Sequence, residues 1–155
     1  NAEHAGLKTA VLFGVLRDVV QLKERYKTSN VAFCFDSETS LRKKLSPSYK
    51  SNPVSDTAPA KDKKCLKRQK QVFRDEILPE LGFNNVFSYE GYEADDVVAS
   101  FVTKSAWDDD CVAASTDKDL YQLLSPRVKI YNPLTKREFK EDKGQKHYGK
   151  HNTYF

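Results

Sequence analysis

Six carboxylates in this 155-residue chain stand where α/β proteins do chemistry. Asp36 closes an apolar run, Asn30-Val-Ala-Phe-Cys-Phe-Asp36. Glu93, Asp95 and Asp96 belong to Gly91-Tyr-Glu-Ala-Asp-Asp96, between a second apolar run and an apolar helix. Asp117 and Asp119 follow a third run, Cys111-Val-Ala-Ala-Ser115. If the three runs are parallel strands, their carboxyl ends open on one edge, where open α/β sheets bind ligands. Carboxylates gathered there repel one another and raise each other's pKa. Hard divalent cations with oxygen ligands, Mg²⁺ or Mn²⁺, are the ordinary remedy. Each piece also has a plain structural reading. Glu-Ala-Asp-Asp can cap a helix and complement its dipole. Thr116-Asp-Lys-Asp119 can be a cap and turn, and Asp36 can begin a turn. Three separate strand ends, each carrying an acid, favour a metal-binding set over three coincident caps.

Other chemistries find little support. His4, His147 and His151 lie near the termini, away from the strand ends, so no nucleophilic triad forms. The glycines make neither a P-loop nor a dinucleotide-binding fingerprint. Trp107 reads as a core or rim residue rather than a stacking platform. Cys34, Cys65 and Cys111 are odd in number, widely spaced and without a CxxC pair, which points to a reducing, cytoplasmic setting. No apolar run approaches the roughly 20 residues of a membrane span, and no signal peptide opens the chain, so a soluble protein is expected. With no Met in the sequence, the chain is expected to begin inside a longer product.

The net charge of +4 conceals a division. Residues 42–70 carry ten basic and two acidic side chains, a local charge of +8. Residues 89–119 carry nine acids and two lysines, a local charge of −7. Either run alone reads as a solvated face. Together, a polyanion-binding arm and a metal-binding carboxylate pocket account for both.

The elements that position these groups alternate. Residues 7–26 read as a helix with Leu7, Val11, Val15, Val19 and Leu22 as its stripe, widened by Leu12, Leu16 and Val20. Residues 30–36 form a continuous apolar run, expected to be a strand buried on both faces. Residues 37–60 are polar and carry prolines, a loop or weakly helical excursion. Residues 61–81 are helical, first basic and then apolar, with Pro79 expected to kink or end the helix. Residues 85–89 and 111–115 are further strands, residues 97–104 an apolar helix and residues 119–124 a short one. Residues 127–132, 133–136 and 137–140 read as strand, turn, strand. The last fifteen residues receive no assignment. Strand–helix alternation predicts an α/β domain with one parallel sheet and right-handed crossovers. The chain opens on a helix, with no strand before it.

The motifs resemble those of the structure-specific 5′-nuclease family, which includes phage 5′–3′ exonucleases, the 5′-nuclease domain of DNA polymerase I and flap endonucleases. Phe35-Asp-Ser37, Leu41-Arg42, Pro47-Ser-Tyr-Lys-Ser-Asn52, Gly91-Tyr-Glu-Ala-Asp-Asp96 and Ser115-Thr-Asp-Lys-Asp119 carry the resemblance, in order and spacing, over residues 7–140. It implies a PIN-like parallel-sheet domain with helices on both faces. Residues 1–155 would be a single domain and a fragment, with residues 37–64 as a basic arch-like excursion. The family's first strand and its C-terminal helix–hairpin–helix region are expected to be missing from these residues. It implies hydrolysis of DNA phosphodiesters at 5′ ends or 5′ flaps, as in replication and repair, with two Mg²⁺ ions for which Mn²⁺ substitutes. Asp36, Glu93, Asp95, Asp96, Asp117 and Asp119 match the metal-binding acids, Lys50 the active-site lysine and Arg42 a phosphate-contacting arginine. Tyr49 matches a residue near the base of the arch. Lys43, Lys44, Asn52, Lys61, Lys63, Lys64, Lys67 and Arg68 complete the expected DNA-binding set, with residues 46–64 expected to order around a 5′ single strand. Pro53 stands where the family usually has Arg. The implied partner is DNA with a 5′ single strand or flap, or an RNA–DNA hybrid, bound by a monomer in a bacterial or phage-infected cytoplasm. A PIN-type ribonuclease and a non-catalytic nucleic-acid-binding module are the alternatives.

Overall fold

The computed structural model describes residues 3–4, 7–39, 41–45, 60–105, 109–142 and 145–147. The chain divides into two compact units, residues 1–35 with 39–87 and residues 36–38 with 88–155.

The first unit opens on an antiparallel pair, β1 (Glu3–His4) and β2 (Leu7–Lys8). Helix α1 (Ala10–Tyr26) therefore starts three residues later than its periodicity predicts, and strands precede it. Thr9 marks the boundary at φ −106°. Its buried stripe is Leu12, Leu16 and Val19, whereas Val11 and Val15 are exposed, as are Phe13 and Val20 on the opposite flank. The predicted stripe is thus rotated. Apolar residues cover more than half the helix circumference, so three- and four-residue spacing fits two stripes equally well.

After α1 come β3 (Phe33–Cys34) and the short α2 (Leu41–Leu45). A long rod follows: α3 (Ala60–Val72), a π-turn (Phe73–Ile77) and α4 (Leu78–Glu80). Residues 60–64 of the expected excursion belong to this rod. Pro79 does not break the rod. It lacks an N–H and its ring crowds the carbonyl four residues back. The backbone widens just upstream, where the Leu78 N–H bonds to the Phe73 carbonyl five residues away. The rod ends in a Schellman motif. Gly82, at φ 80°, donates to the Pro79 carbonyl at 2.9 Å, and Phe83 donates to the Leu78 carbonyl at 2.9 Å. Phe83 thereby enters a core with Leu12, Phe73 and Leu78. There Phe33 meets the Phe73 and Phe83 rings edge-on, with centroids 6.0 and 5.1 Å away.

Strand β4 (Val86–Phe87) pairs parallel with β3. The Phe33 and Phe35 N–H groups extend that ladder to the Asn85 and Phe87 carbonyls, both at 2.8 Å. The β3 residues are half-buried, not sealed on both faces.

The second unit holds α5 (Ala94–Ser105) and a four-stranded sheet, β5 (Cys111–Ala114), β6 (Val128–Asn132), β7 (Arg137–Asp142) and β8 (Gln145–His147), in that order. β5 and β6 are parallel, and the rest is antiparallel. The β6–β7 connection is the predicted strand–turn–strand. Asn132 Oδ1 accepts from the Leu134 and Thr135 N–H groups, both at 3.0 Å, and Lys136 turns the chain at φ 58°. Val102, Ala113, Leu120, Leu124, Val128 and Ile130 form the core. Among the described residues the expected parallel pairing is seen in β3–β4 and in β5–β6. Alternation sets the direction of the crossovers, but which edges hydrogen-bond is decided by packing.

Candidate active site

The acids are positioned by helix ends and strand ends within the second unit. Three hydrogen bonds hold residues 36–37 against residues 91–94. The Ala94 N–H donates to Asp36 Oδ1 at 3.0 Å, the Gly91 N–H to Ser37 Oγ at 3.0 Å, and the Ser37 N–H to the Tyr92 carbonyl at 3.1 Å. Asp36 therefore satisfies one of the orphan donors at the start of α5 from 58 residues away. Gly91 is buried at φ 88°, backbone that residues with a Cβ rarely adopt.

Glu93 and Asp96 close the same corner. The Glu93 N–H donates to Asp96 Oδ2 at 3.1 Å, while the Asp96 N–H donates to the Glu93 carbonyl at 3.1 Å. This is half of a capping box, with Asp in the place usually held by Glu or Gln. Asp95 lies half-buried in the same first turn. The structural reading of this motif is thus realised: the acids do cap. A capping bond uses one carboxylate oxygen, and a carboxylate offers about four acceptor sites.

At the end of β5, Ser115 Oγ accepts from the Asp117 N–H at 3.0 Å, and Asp117 Oδ1 accepts from the Asp119 N–H at 2.9 Å. These nested turns lead into a 3₁₀ helix (Asp119–Leu123) whose Leu120 is buried in the core. Asp117 and Asp119 are left exposed. The positioning roles of Ser37 and Ser115 escape a sequence reading. Their signal is a hydroxyl one or two residues from a strand-end acid.

All six predicted acids thus lie in one unit, and Asp36 is joined directly to the α5 corner. Among the described residues, no three His, Cys, Asp or Glu side chains already stand around a common ion position. The donor chemistry still fits a hard divalent cation, because the set is all carboxylate oxygen. Cys111 opens β5, at the end away from Asp117 and Asp119. Burial pushes Cys111 up, and Asp109 and Asp110 push it further the same way.

The predicted basic residues belong to the first unit. Arg42 and Lys44 are exposed on α2, and Lys64, Lys67 and Arg68 are exposed on α3. Lys43 falls in α2 and Lys61 and Lys63 fall in α3. Tyr49, Lys50 and Asn52 lie outside the described residues, as do Pro53 and Trp107. No described helix is long and apolar enough to cross a membrane.

The motifs and the fold can be set beside known proteins. The 5′-3′ exonuclease of Aquifex aeolicus is 31% identical over 146 residues, which is 93% of this chain and 48% of that protein. The DNA polymerase I of Synechocystis is 31% identical over 144 residues, 90% of this chain and 14% of that protein. The chain therefore spans about half the length of the exonucleases it resembles and a small part of the polymerases. Among solved structures, the phage T5 5′-exonuclease with bound zinc ions superposes with a TM-score of 0.67 at 24% identity, covering 86% of this chain and 50% of that one. That likeness supports the α/β fold. The sequence model of the 5′-3′ exonuclease N-terminal, resolvase-like domain matches residues 1–149, a span that takes in every acid described above. The chain belongs to the family of 5′-3′ exonuclease N-terminal, resolvase-like domains.

Proposed function

We propose that this domain is the acid-bearing part of a divalent-metal-dependent nuclease that hydrolyses DNA phosphodiesters at 5′ ends or 5′ flaps. The observation that carries the reading is the junction of Asp36 with the Glu93–Asp96 corner, in the same unit as Asp117 and Asp119. Strand-end acids far apart in sequence are placed in one unit of a chain whose family is that of 5′-3′ exonucleases. The phage T5 relatives, crystallised with zinc and, as a flap endonuclease, with DNA and metal ions, support the same direction.

Asp36, Glu93, Asp95, Asp96, Asp117 and Asp119 would hold the ions, Mg²⁺ by the hardness of the donors. When bound, a pair of such ions lowers the pKa of an attacking water and neutralises the departing oxygen. The chain's own part is to fix the carboxylates. The bonds to the Ala94, Glu93 and Asp119 N–H groups each lock one carboxylate oxygen and orient the other. Lys50 and Arg42 would steady the scissile phosphate, which six carboxylates alone would repel. The exposed bases of α3 would grip backbone phosphates without reading sequence. Removal of primers or flaps in replication and repair follows from that specificity.

The test is Mg²⁺-dependent cleavage of 5′-labelled flap DNA by the full protein and by its Asp95→Asn and Asp117→Asn variants. Asn is isosteric, and at position 117 its Oδ1 still accepts from Asp119. The fold should survive while turnover is lost. Near-normal turnover in either variant overturns the assignment, and cleavage of RNA but not DNA flaps makes the domain a ribonuclease instead.

A further inference from the structure

Along α5, against the buried Val97, lies an open hollow of about 500 Å³, within the range of ligand sites. Tyr89, Tyr92 and Phe101 supply its aromatic walls, Ser100 its hydroxyl, and Asp96 and Lys104 its two charges. Asp96 and Lys104 stand eight residues apart on the helix, about 12 Å. The hollow thus begins at the acidic corner and ends at a cation. The two tyrosines are each 52% exposed. Their loop is nonetheless fixed. The Tyr92 N–H donates to the Tyr89 carbonyl at 3.1 Å, and the Tyr92 carbonyl accepts from Ser37.

We propose that this hollow is a nucleotide subsite, holding one unpaired base of a DNA strand against Tyr89 and Tyr92 with its phosphate on Lys104. The proposal rests on the nuclease reading and adds to it where the strand adjoining the acids is held. Rings presented rigidly at a surface stack on the π-face that every base has, and so bind without choosing sequence. Charge sets the polarity of the site. Lys104 attracts a phosphate, whereas Asp96, with no ion bound, repels one. A purely apolar partner is disfavoured, because it would have to desolvate both charges.

The probe is a short oligothymidylate carrying a single 2-aminopurine at or near its 5′ end, bound to the full chain in EDTA so that nothing is cleaved. A matching strand carries an abasic site instead. Binding should quench the 2-aminopurine. The abasic strand should bind about tenfold more weakly than the intact one. Tyr92→Leu should weaken the intact strand by a similar factor, leave the abasic strand unchanged and relieve the quenching, while Tyr92→Phe restores all three. Lys104→Gln should weaken both strands and flatten their salt dependence. Equal affinity of the wild-type chain for intact and abasic strands, or unquenched binding at every labelled position, overturns the subsite and leaves the nuclease reading standing. That result uses the wild-type protein and does not depend on any variant folding. If neither strand binds and flap DNA is not cleaved in Mg²⁺, the nuclease reading itself falls.

Discussion

Asp36, Asp96 and Asp117 each accept a backbone N–H with one oxygen, so in the proposed metal-binding role a single side chain would serve both fold and chemistry. The two roles can be separated at Asp36. Asp36→Asn retains an acceptor for the Ala94 N–H and loses the charge, whereas Asp36→Ala loses both. Both variants should lose metal-dependent cleavage. Only Asp36→Ala should also lose about 1 kcal/mol of stability, the usual worth of a cap, measured by urea unfolding. Equal stability of the two would mean that water replaces the bond. A different residue carries a cost with no evident return. Gln69 is 4% exposed on α3, its Nε2 donates to Cys65 Sγ at 3.4 Å, and its Oε1 finds no donor among the described residues. An unsatisfied buried acceptor costs about 1–3 kcal/mol. Gln69→Met conserves shape and should raise stability by about 1 kcal/mol. A lower denaturation midpoint would show that the amide oxygen has a partner in solution.

The elements were legible where a local signal is strong. Gly91-Tyr-Glu-Ala-Asp-Asp96 opens a helix because its acids cap it, and Asn132-Pro-Leu-Thr-Lys136 turns because Asn132 folds back on the chain. The face of α1 was not legible. Leu12 and Leu16 enter the core while Val11 and Val15 do not, and only tertiary packing decides between them. The Phe73–Ile77 π-turn was half legible: Pro79 announces a disturbance, but not that the backbone absorbs it by widening. Parallel strand ends predict a gathering of acids, and β3–β4 and β5–β6 are parallel pairs, but strand pairing alone does not say which acids meet. Hydrogen bonds to the start of α5 link Asp36 to its neighbours instead, a connection with no periodicity to betray it. The C-terminus of α1 makes an element-scale prediction. Lys27 caps it in the left-handed region, φ 48°, ψ 43°, where a Cβ is strained. Lys27→Gly should therefore raise stability by about 0.5–1 kcal/mol, seen as a higher melting temperature, because Gly is the preferred residue at such ends.

Across the whole molecule, charge divides as the compact units do. The first unit carries 16 Lys and Arg against 8 Asp and Glu, and the second 10 against 14. The proposed nuclease would need both signs, carboxylates for ions that activate water and cations for a polyanionic strand. The basic face most open to test is on α3, where Lys64, Lys67 and Arg68 are exposed at three- and four-residue spacing. Such residues share one side of a helix. Because they are already helical, replacing all three by Gln, a comparable helix former, should leave folding nearly unchanged. Each phosphate of a single strand that the protein no longer neutralises lowers the slope of log affinity against log salt by about 0.7. The triple variant should therefore flatten the slope by up to about 2 for a 5′ single strand. It should weaken binding most at low salt, where the Debye length is long and counterion release is most favourable. Affinities of wild type and variant, measured on one strand across a salt series, decide the matter. Parallel slopes would make the basic side of α3 a solvated helix face and move the strand-gripping role to bases elsewhere in residues 42–70.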